Sequence, residues 1–264
     1  MQSCTKLVKM KQVLQVEKLS KHYKKGKSLH KAVDEVSFTV DEGQIVGLVG
    51  QSGSGKSSIA KLICKLIEPT SGSIILNGKE LSKLEKPQLK ELYQDVQMVF
   101  QSPYSSFNPR KTIAFAISES MRNRGYPKQQ IEERCAQLLL DCGLEAALAK
   151  RYPHELSGGQ CQRAAIARAL AIQPKLLICD EATSALDAVL QAQIIELLKS
   201  LHKSYKLSCL FICHNLALVQ QFCDKVLVMY EGKIIEQGNT HLILSEPQHE
   251  YTKRLIKAAS FHKA

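Results

Sequence analysis

The chain has 264 residues, 44% of them hydrophobic, which is enough for one large α/β domain or for a core with a small subdomain. No apolar run approaches the ~18 residues of a membrane helix, and the basic N-terminal stretch lacks a signal-peptide core, so we expect a chain that is neither secreted nor membrane-spanning by itself. The net charge of +11 is compatible with nucleic acid, an anionic membrane surface or an acidic partner, and a solvated basic face is its simplest interpretation. No basic patch with interleaved aromatic residues is visible, so we expect no nucleic-acid partner, and the nine scattered cysteines indicate reduced thiols.

The first quarter of the chain predicts strands, a glycine-rich turn and a helix. Residues 12–48 contain three strand-like segments, with the basic stretch KHYKKGKSLHK between the first two. The next segment, GLVGQSGSGKSSIAKLI over residues 47–63, contains four glycines and four serines. An apolar run leads into this segment, and apolar residues at helical spacing follow it. So many residues that weaken regular elements indicate a turn whose backbone lies close to a ligand.

The spacing within this turn identifies the ligand class. Gly50, four further residues and then Gly55, Lys56 and Ser57 fit the pattern G-x-x-x-x-G-K-[ST]. Backbone N–H groups and the dipole of the following helix make such a turn an anion site. Lys56 is predicted to reach the β- and γ-phosphates of a nucleotide, and the Ser57 hydroxyl is predicted to ligate Mg²⁺. The alternative, a flexible loop that matches by chance, leaves the flanking strand and helix unexplained.

The rest of the chain alternates strands with helices. We predict, in order, a turn and strand in EPTSGSIILNGKEL, a helix over 83–95, a buried strand in VQMVFQ, a loop in SPYSSFNPR, helices over 113–150, a helix from LSGGQ to Pro174, a strand in KLLICDEA, a helix over 187–203, a strand in LSCLFICH, a helix to about 223, a hairpin in KVLVMYEGKIIEQG and a helix over 241–259. This alternation predicts an α/β fold with a mostly parallel sheet, interrupted by a helical insertion over 102–162.

Two of the predicted strands end in residues that suit hydrolysis. Asp180 and Glu181 follow one strand, where Asp180 is predicted to hold Mg²⁺ and Glu181 to polarise the attacking water as a general base. The alternative is a solvated turn. His214 ends a second strand and is placed to bind the γ-phosphate or that water, although a lone histidine there is more often structural. The spacing of Cys209, Cys213 and His214 matches no common zinc pattern.

A second glycine-rich turn precedes the acidic strand. The segment LSGGQ, residues 156–160, places Ser157 and two glycines before a helix and therefore predicts a second anion site.

These motifs, in this order, resemble the ATPase domain of ABC transporters from about residue 12 to 258. The resemblance assigns nucleotide contacts to Gly50, Gln51, Ser52, Gly53, Ser54, Gly55, Lys56, Ser57 and Ser58 (Walker A), and to Ser157, Gly158, Gly159 and Gln160 (signature motif). It also assigns Gln101 to the Q-loop, Asp180 and Glu181 to Walker B, residues 184–187 to the D-loop and His214 to the switch histidine. Tyr23 is similar in position to the aromatic residue that stacks on adenine in this family.

The resemblance implies one ATPase domain over residues 1–264 with a RecA-like P-loop NTPase core. It further implies an N-terminal antiparallel β part, an inserted helical subdomain over 102–162 that carries the signature motif, and a C-terminal hairpin and helix over 227–264. ATP and Mg²⁺ are the implied ligands, with Ser57, Gln101 and Asp180 around the metal. Glu181, His214 and Gln101 are the implied catalytic residues.

The segments VFQSPYSSFNPR and PQHEYTKRL resemble the ATPase subunits of oligopeptide, dipeptide and nickel importers. This resemblance implies a second ATPase subunit, identical or related, and integral membrane permease subunits, with an extracytoplasmic solute-binding protein as an indirect partner. It also implies a peripheral location on the cytoplasmic face of the cell membrane. Two positions depart from the family pattern, because Cys161 stands where a polar or basic residue is usual and Cys213 where Ser or Thr is usual.

Two other classes of function remain as alternatives. A non-transport ABC ATPase of DNA repair would need a long coiled-coil insertion between Walker A and the signature, and translation-type members usually carry two ATPase domains. A P-loop kinase or GTPase would leave LSGGQ unexplained, and the chain has no N-K-x-D guanine motif. Association with membrane proteins rather than nucleic acid would separate the importer from the other ABC ATPases.

Overall fold

A computed structural model of the chain describes residues 11–25, 28–84 and 88–260. The strands in these residues are β1 (Gln12–Lys25), β2 (Ser28–Asp41), β3 (Ile45–Val49), β4 (Ser71–Leu76), β5 (Lys79–Glu80), β6 (Val96–Val99), β7 (Leu176–Asp180), β8 (Ser208–Cys213), β9 (Lys225–Tyr230) and β10 (Lys233–Asn239). The helices are α1 (Lys56–Ile63), α2 (Leu89–Asp95), α3 (Ile113–Arg122), α4 (Lys128–Asp141), α5 (Gly158–Leu170), α6 (Ala188–Tyr205), α7 (Leu216–Phe222), α8 (Thr240–Ser245) and α9 (Glu250–Ser260).

The strands form two sheets. The larger has the order β10-β9-β3-β8-β7-β6, and its strands are parallel except for β10, which pairs antiparallel with β9. The smaller is antiparallel, with the order β2-β1-β4-β5. This arrangement is the predicted parallel core with an antiparallel N-terminal part.

The larger sheet buries both of its faces, and alternate residues of each strand enter different cores. On β8, Phe211 packs with the helical insertion and α5–α7, while Leu210 and Ile212 pack with α1 and the antiparallel sheet. Burial on both faces explains why β3, β7 and β8 are nearly continuous apolar runs in the sequence. Phe211 is fully buried and meets Phe222 edge to face, with the ring centroids 5.2 Å apart.

Between β6 and β7 the described chain is helical, apart from its turns and connecting segments. Helices α3, α4 and α5 pack together around buried side chains that include Ile117, Leu138 and Ile166. The predicted end of the insertion at residue 162 falls inside α5, and the predicted start of the C-terminal part at 227 falls inside β9. Both limits therefore cut across continuous elements.

Three local predictions were wrong. The basic stretch between the first two strands belongs largely to them, since β1 and β2 pair as far as Lys25 and Ser28. The helix predicted from residue 83 begins at Leu89, because Leu84 is extended; residues 85–87 lie outside the described residues. The single helix predicted over 241–259 is two helices, α8 and α9. They separate because Pro247 restricts the preceding Glu246, whose backbone is not helical.

Among the described residues, no helix combines the length and the apolar character that crossing a membrane requires. The eight cysteines in the described part of the chain are buried and free.

Candidate active site

The glycine-rich turn between β3 and α1 needs glycine at specific positions. Gly50, Gly53 and Gly55 all have positive φ angles, of 156°, 82° and 107°. A Cβ atom at Gly50 would lie 2.1 Å from the Met229 carbonyl oxygen, and one at Gly55 would lie 2.0 Å from the Ala32 carbonyl oxygen. The turn therefore keeps its shape only because its backbone can lie against two other strands.

Lys56 is held inside this turn. Its side chain is 4% exposed, and its Nζ donates to the carbonyl oxygens of Gly50 and Gln51, at 2.8 and 2.9 Å. Burial lowers the pKa of Lys56, while the nearby charge of Glu181 and Asp180 acts in the opposite direction. The cation is thus fixed beside carboxylates and close to the start of α1, where an anionic phosphate would be stabilised.

A hydrogen bond joins the start of α1 to the end of β7. The Ser57 hydroxyl donates to Asp180 Oδ1 at 2.9 Å. Asp180 is 7% exposed; burial raises the pKa of its carboxyl, and the hydrogen bond from Ser57 acts against that rise. The residues that the sequence assigns to one metal, Ser57 and Asp180, are therefore in contact although 123 positions separate them.

Glu181, Gln101 and His214 form a second cluster next to this contact. Gln101 Nε2 donates to Glu181 Oε2 at 3.1 Å, and His214 Nδ1 lies 3.9 Å from Glu181 Oε1. Glu181 has a positive φ of 47°, a strained conformation for a residue with a side chain. A hydrogen bond from the Glu181 N–H to the Ile212 carbonyl oxygen fixes this backbone turn. The Glu181 carboxylate therefore lies between the Gln101 amide and the His214 imidazole.

These residues surround a cleft of about 370 Å³. Its lining consists of Tyr23, His30, Ala32, Ser52, Gly53, Gly55, Lys56, Ser57, Ser58, Gln101 and Glu181. His30 and Ala32 were not predicted from the sequence. Tyr23 and His30 are paired across β1 and β2, so their side chains share one face of the hairpin. His30 could have been predicted if the basic stretch had been recognised as a continuation of both strands, because His30 then pairs with Tyr23.

The signature motif lies elsewhere. Ser157 caps α5: its hydroxyl accepts from the Gln160 N–H at 3.3 Å, and the Gln160 side chain accepts from the Ser157 N–H at 2.9 Å. Ser157 is exposed, and Gly159 is buried against Leu190 of α6. Among the described residues, those that line the cleft do not include 157–160. The structure therefore does not bring the two predicted phosphate sites of one chain together in this cleft.

The cleft fits a nucleotide with Mg²⁺. The Ser54 hydroxyl in the phosphate turn is buried, and within the described residues it has no hydrogen-bond partner. Ser57, Asp180 and the Gln101 amide offer oxygen atoms, which Mg²⁺ prefers. Within the described part of the chain, no group of three or more His, Cys, Asp or Glu side chains could hold a metal. Mg²⁺ would then need phosphate oxygens as further ligands, as is usual for this ion.

The two cysteines that depart from the family pattern are buried. Burial raises the pKa of the Cys161 thiol to about 11 and that of the Cys213 thiol to about 12. Both therefore carry a neutral thiol at physiological pH and pack as small apolar side chains. Neither Cys161 nor Cys213 lines the cleft.

Comparison with known sequences identifies the family. The sequence profile that describes ABC transporters matches residues 33–184, which is more than half of the chain. The chain belongs to the ABC transporter family. This ABC ATPase is 46% identical over 230 residues to the oligopeptide transport ATP-binding protein OppF of Haemophilus influenzae, covering 86% of this chain and 69% of that protein. It is 41% identical over 256 residues to the di/tripeptide transport ATP-binding protein DppF of Pseudomonas aeruginosa, covering 94% and 79%.

Solved structures confirm the predicted P-loop NTPase fold of this ABC ATPase. The ATP-binding cassette MJ0796, solved as a dimer in a post-hydrolysis state bound to ADP and Pi, is similar with a TM-score of 0.79 at 27% identity. That match covers 86% of this chain and 98% of MJ0796. CbiO1 of Clostridium perfringens, part of the ABC transporter complex cbiONQ, is similar with a TM-score of 0.81 at 27% identity, over 96% of this chain and 100% of cbiO1.

Replacing Lys56 by alanine tests the phosphate site of this ABC ATPase. The variant loses a buried cation that lines the cleft, so we expect its affinity for MgATP to fall by about 10- to 100-fold. Titration with a fluorescent ATP analogue measures this change. Lys128→Ala is the matched control, because it removes the same charge from a side chain on α4 that is 90% exposed. Unchanged affinity in Lys56→Ala would refute the phosphate site.

Proposed function

We propose that this chain is the ATP-hydrolysing subunit of a peptide importer and drives separate membrane subunits. One observation carries the proposal: side chains that are far apart in the sequence meet around one cleft. They are those of Lys56, Ser57, Gln101, Asp180, Glu181 and His214. The relatives named for oligopeptide and di/tripeptide transport favour peptides as the solute. A nickel-type solute is the alternative that the sequence resemblance implies, and the relatives named above do not favour it.

ATP would bind with its phosphates at the turn between β3 and α1. Lys56 Nζ has three N–H donors, so it would keep its contact with the Gly50 carbonyl and turn its other donors to the β- and γ-phosphates, and the Ser54 hydroxyl would gain a partner. Tyr23 would stack on adenine at the other end of the cleft. Ser57, Gln101 and Asp180 would hold Mg²⁺, which neutralises charge that develops on the phosphates during hydrolysis.

Glu181 would act as the general base. Its carboxylate lies between the Gln101 amide and the His214 imidazole, which fixes its direction. A water held by Glu181 would transfer a proton to the carboxylate as its oxygen attacks the γ-phosphorus, while the bond from this phosphorus to the β–γ bridging oxygen breaks and ADP leaves with the electron pair. His214, with its side chain 59% exposed, would orient this water or the γ-phosphate from the end of β8.

The working unit would be a dimer of ATPase domains, with this chain or a related one as the second subunit. The exposed Ser157 and the start of α5 lie outside the cleft, so the anion site predicted there would not reach a phosphate bound to the same chain. Ser157, Gly158, Gly159 and Gln160 would cover the ATP bound to the partner subunit. The dimeric structures of MJ0796 support a dimer of ATPase domains.

Permease subunits would dock on the face that carries Gln101. A groove of about 350 Å³ lies beside this residue, between the parallel sheet and the helical insertion. Leu66, Tyr93, Phe100, Ser106, Glu119 and Arg168 contribute to its lining. Leu66 and Phe100, which are 51% and 38% exposed, give this groove apolar surface that a partner could cover. Docking there would hold the chain peripherally at the cytoplasmic face, with a solute-binding protein acting indirectly through the permease.

Glu181→Gln tests the general base. The amide cannot accept a proton, so we expect turnover to fall by about 10²- to 10⁴-fold while MgATP affinity is retained. The variant should also accumulate as an ATP-bound dimer in size-exclusion chromatography. Glu196→Gln is the matched control, since its side chain is 70% exposed on α6 and pairs with Lys199. Hydrolysis by Glu181→Gln at a near-normal rate would exclude Glu181 as the base.

Mixing two inactive variants tests the dimer. Lys56→Ala lacks the phosphate lysine, and Ser157→Arg blocks the start of α5, so each is expected to be inactive alone. A mixed dimer has one intact composite site, with Lys56 from the second variant and Ser157 from the first. We expect partial recovery of ATPase activity on mixing, whereas action of Ser157 within its own chain would give none. If only a related ATPase pairs with this chain, the two changes are divided between the two proteins.

Cross-linking in native membranes tests the permease interface. Single cysteines introduced over residues 102–110 are expected to form cross-links to an integral membrane protein. A cysteine at Lys206 is the control, because it is exposed just before β8, at the edge of the sheet opposite to Gln101. Labelling of lipid or nucleic acid alone from residues 102–110, or equal labelling from residue 206, would contradict the interface.

A further inference from the structure

The C-terminal helix contacts the phosphate turn directly. The Gln51 backbone N–H donates to the Tyr251 hydroxyl at 2.9 Å, across 200 positions of sequence. Tyr251 belongs to the segment PQHEYTKRL, which resembles a segment of importer ATPase subunits and follows the last of the predicted site residues, His214. Most N–H groups of such a turn are expected to point toward phosphate. The Gln51 N–H instead donates to a side chain of α9.

Tyr251 is held firmly in place. Its side chain is 8% exposed, and its ring lies against the Tyr230 ring with the centroids 4.3 Å apart. The Glu236 carboxylate on β10 accepts hydrogen bonds from the backbone N–H groups of Gln248 and His249, at 2.8 and 3.2 Å, and so fixes the start of α9. The Tyr251 hydroxyl therefore has a defined position before any nucleotide binds.

The contact fixes the direction of one peptide group. The Gly50 carbonyl and the Gln51 N–H belong to the same planar, trans peptide unit, so they point in opposite directions. The N–H end meets the Tyr251 hydroxyl, and the carbonyl end accepts from Lys56 Nζ at 2.8 Å. Gly50, with a φ of 156°, gives this peptide little resistance to rotation by itself.

The β9–β10 hairpin holds the same turn at a second point. The Gly232 N–H, in the tight turn of the hairpin, donates to the Ser54 carbonyl oxygen at 3.1 Å. Since Tyr230 and Tyr251 pack together, the hairpin and α9 act as one support for the phosphate turn.

We propose that Tyr251 is a positioning residue for ATP binding: its hydroxyl orients the Gly50–Gln51 peptide and thereby places Lys56 for the phosphates. This inference rests on the proposed function, because it assumes that the turn binds ATP. Without the hydroxyl, the Gln51 N–H loses its acceptor and the peptide rotates among several orientations. Only part of the population then has the turn ready for phosphate, and the apparent affinity is reduced to that fraction of its full value.

Tyr251→Phe tests the hydroxyl while keeping the ring. Loss of one hydrogen bond that preorganises the turn is expected to weaken MgATP binding by about three- to tenfold. KM for ATP should rise by a similar factor, and kcat should stay within about twofold because the cluster of Glu181, Gln101 and His214 is unchanged. In the nucleotide-free protein, the Gln51 amide should exchange its hydrogen faster than in the wild type, as measured by mass spectrometry of Walker A peptides.

Tyr230→Phe is the matched control. It removes a hydroxyl from the same ring pair, but that hydroxyl interacts with Glu231 and not with the phosphate turn. We expect wild-type affinity and wild-type exchange of the Walker A amides in this variant. Equal weakening in both variants would show that the hydrogen bond to the Gln51 N–H is not what sets the affinity, and it would overturn the proposal.

Lys56→Ala in the same titration distinguishes failure of the ATP site from failure of the role proposed for Tyr251. If Lys56→Ala loses MgATP affinity while Tyr251→Phe matches the wild type in affinity and amide exchange, the role of Tyr251 is refuted and the ATP site stands. If Lys56→Ala binds MgATP normally, the proposed ATP site itself fails, and the role of Tyr251 fails with it.

Discussion

The hydrogen bond from the Ser57 hydroxyl to Asp180 is the contact on which the site depends, and parallel pairing of the strands makes it possible. Val49 at the end of β3 pairs with Cys213 of β8, and Ile212 of β8 pairs with Asp180 at the end of β7. The carboxyl ends of these strands therefore lie at one edge of the sheet. The residues that directly follow β3, β7 and β8 therefore meet at this edge, although they are far apart along the chain, and no long loop is needed to bring them together.

Two buried faces keep this edge rigid. Since the larger sheet packs against helices on one side and against α1 with the antiparallel sheet on the other, its strands cannot slide without exposing apolar side chains. The antiparallel sheet also contributes Tyr23 and His30 to the cleft, opposite the phosphate turn. The C-terminal hairpin and helix support that turn from a further direction. Each layer of the fold thus supplies part of the site.

Local signals account for what the sequence predicted well. The glycine pattern around Lys56, the acidic pair after an apolar strand and the alternation of strands with helices are all readable within short windows. His30 and Tyr251 required information that such windows lack. His30 becomes visible only when the basic stretch is recognised as a continued hairpin, and Tyr251 only when α9 is separated from α8 at Pro247 and packed on Tyr230. Contacts between distant segments, rather than local propensity, determine both positions.

The central claim is that Ser57 and Asp180 share one Mg²⁺ at the phosphate turn, and the Mg²⁺ dependence of ATP binding tests it most directly. ATP affinity is measured by calorimetry at increasing Mg²⁺ concentration in the wild type and in Asp180→Asn. The account predicts that Mg²⁺ tightens ATP binding in the wild type, and that this gain is largely lost in Asp180→Asn while affinity without Mg²⁺ is retained. An undiminished gain from Mg²⁺ in Asp180→Asn would contradict the account.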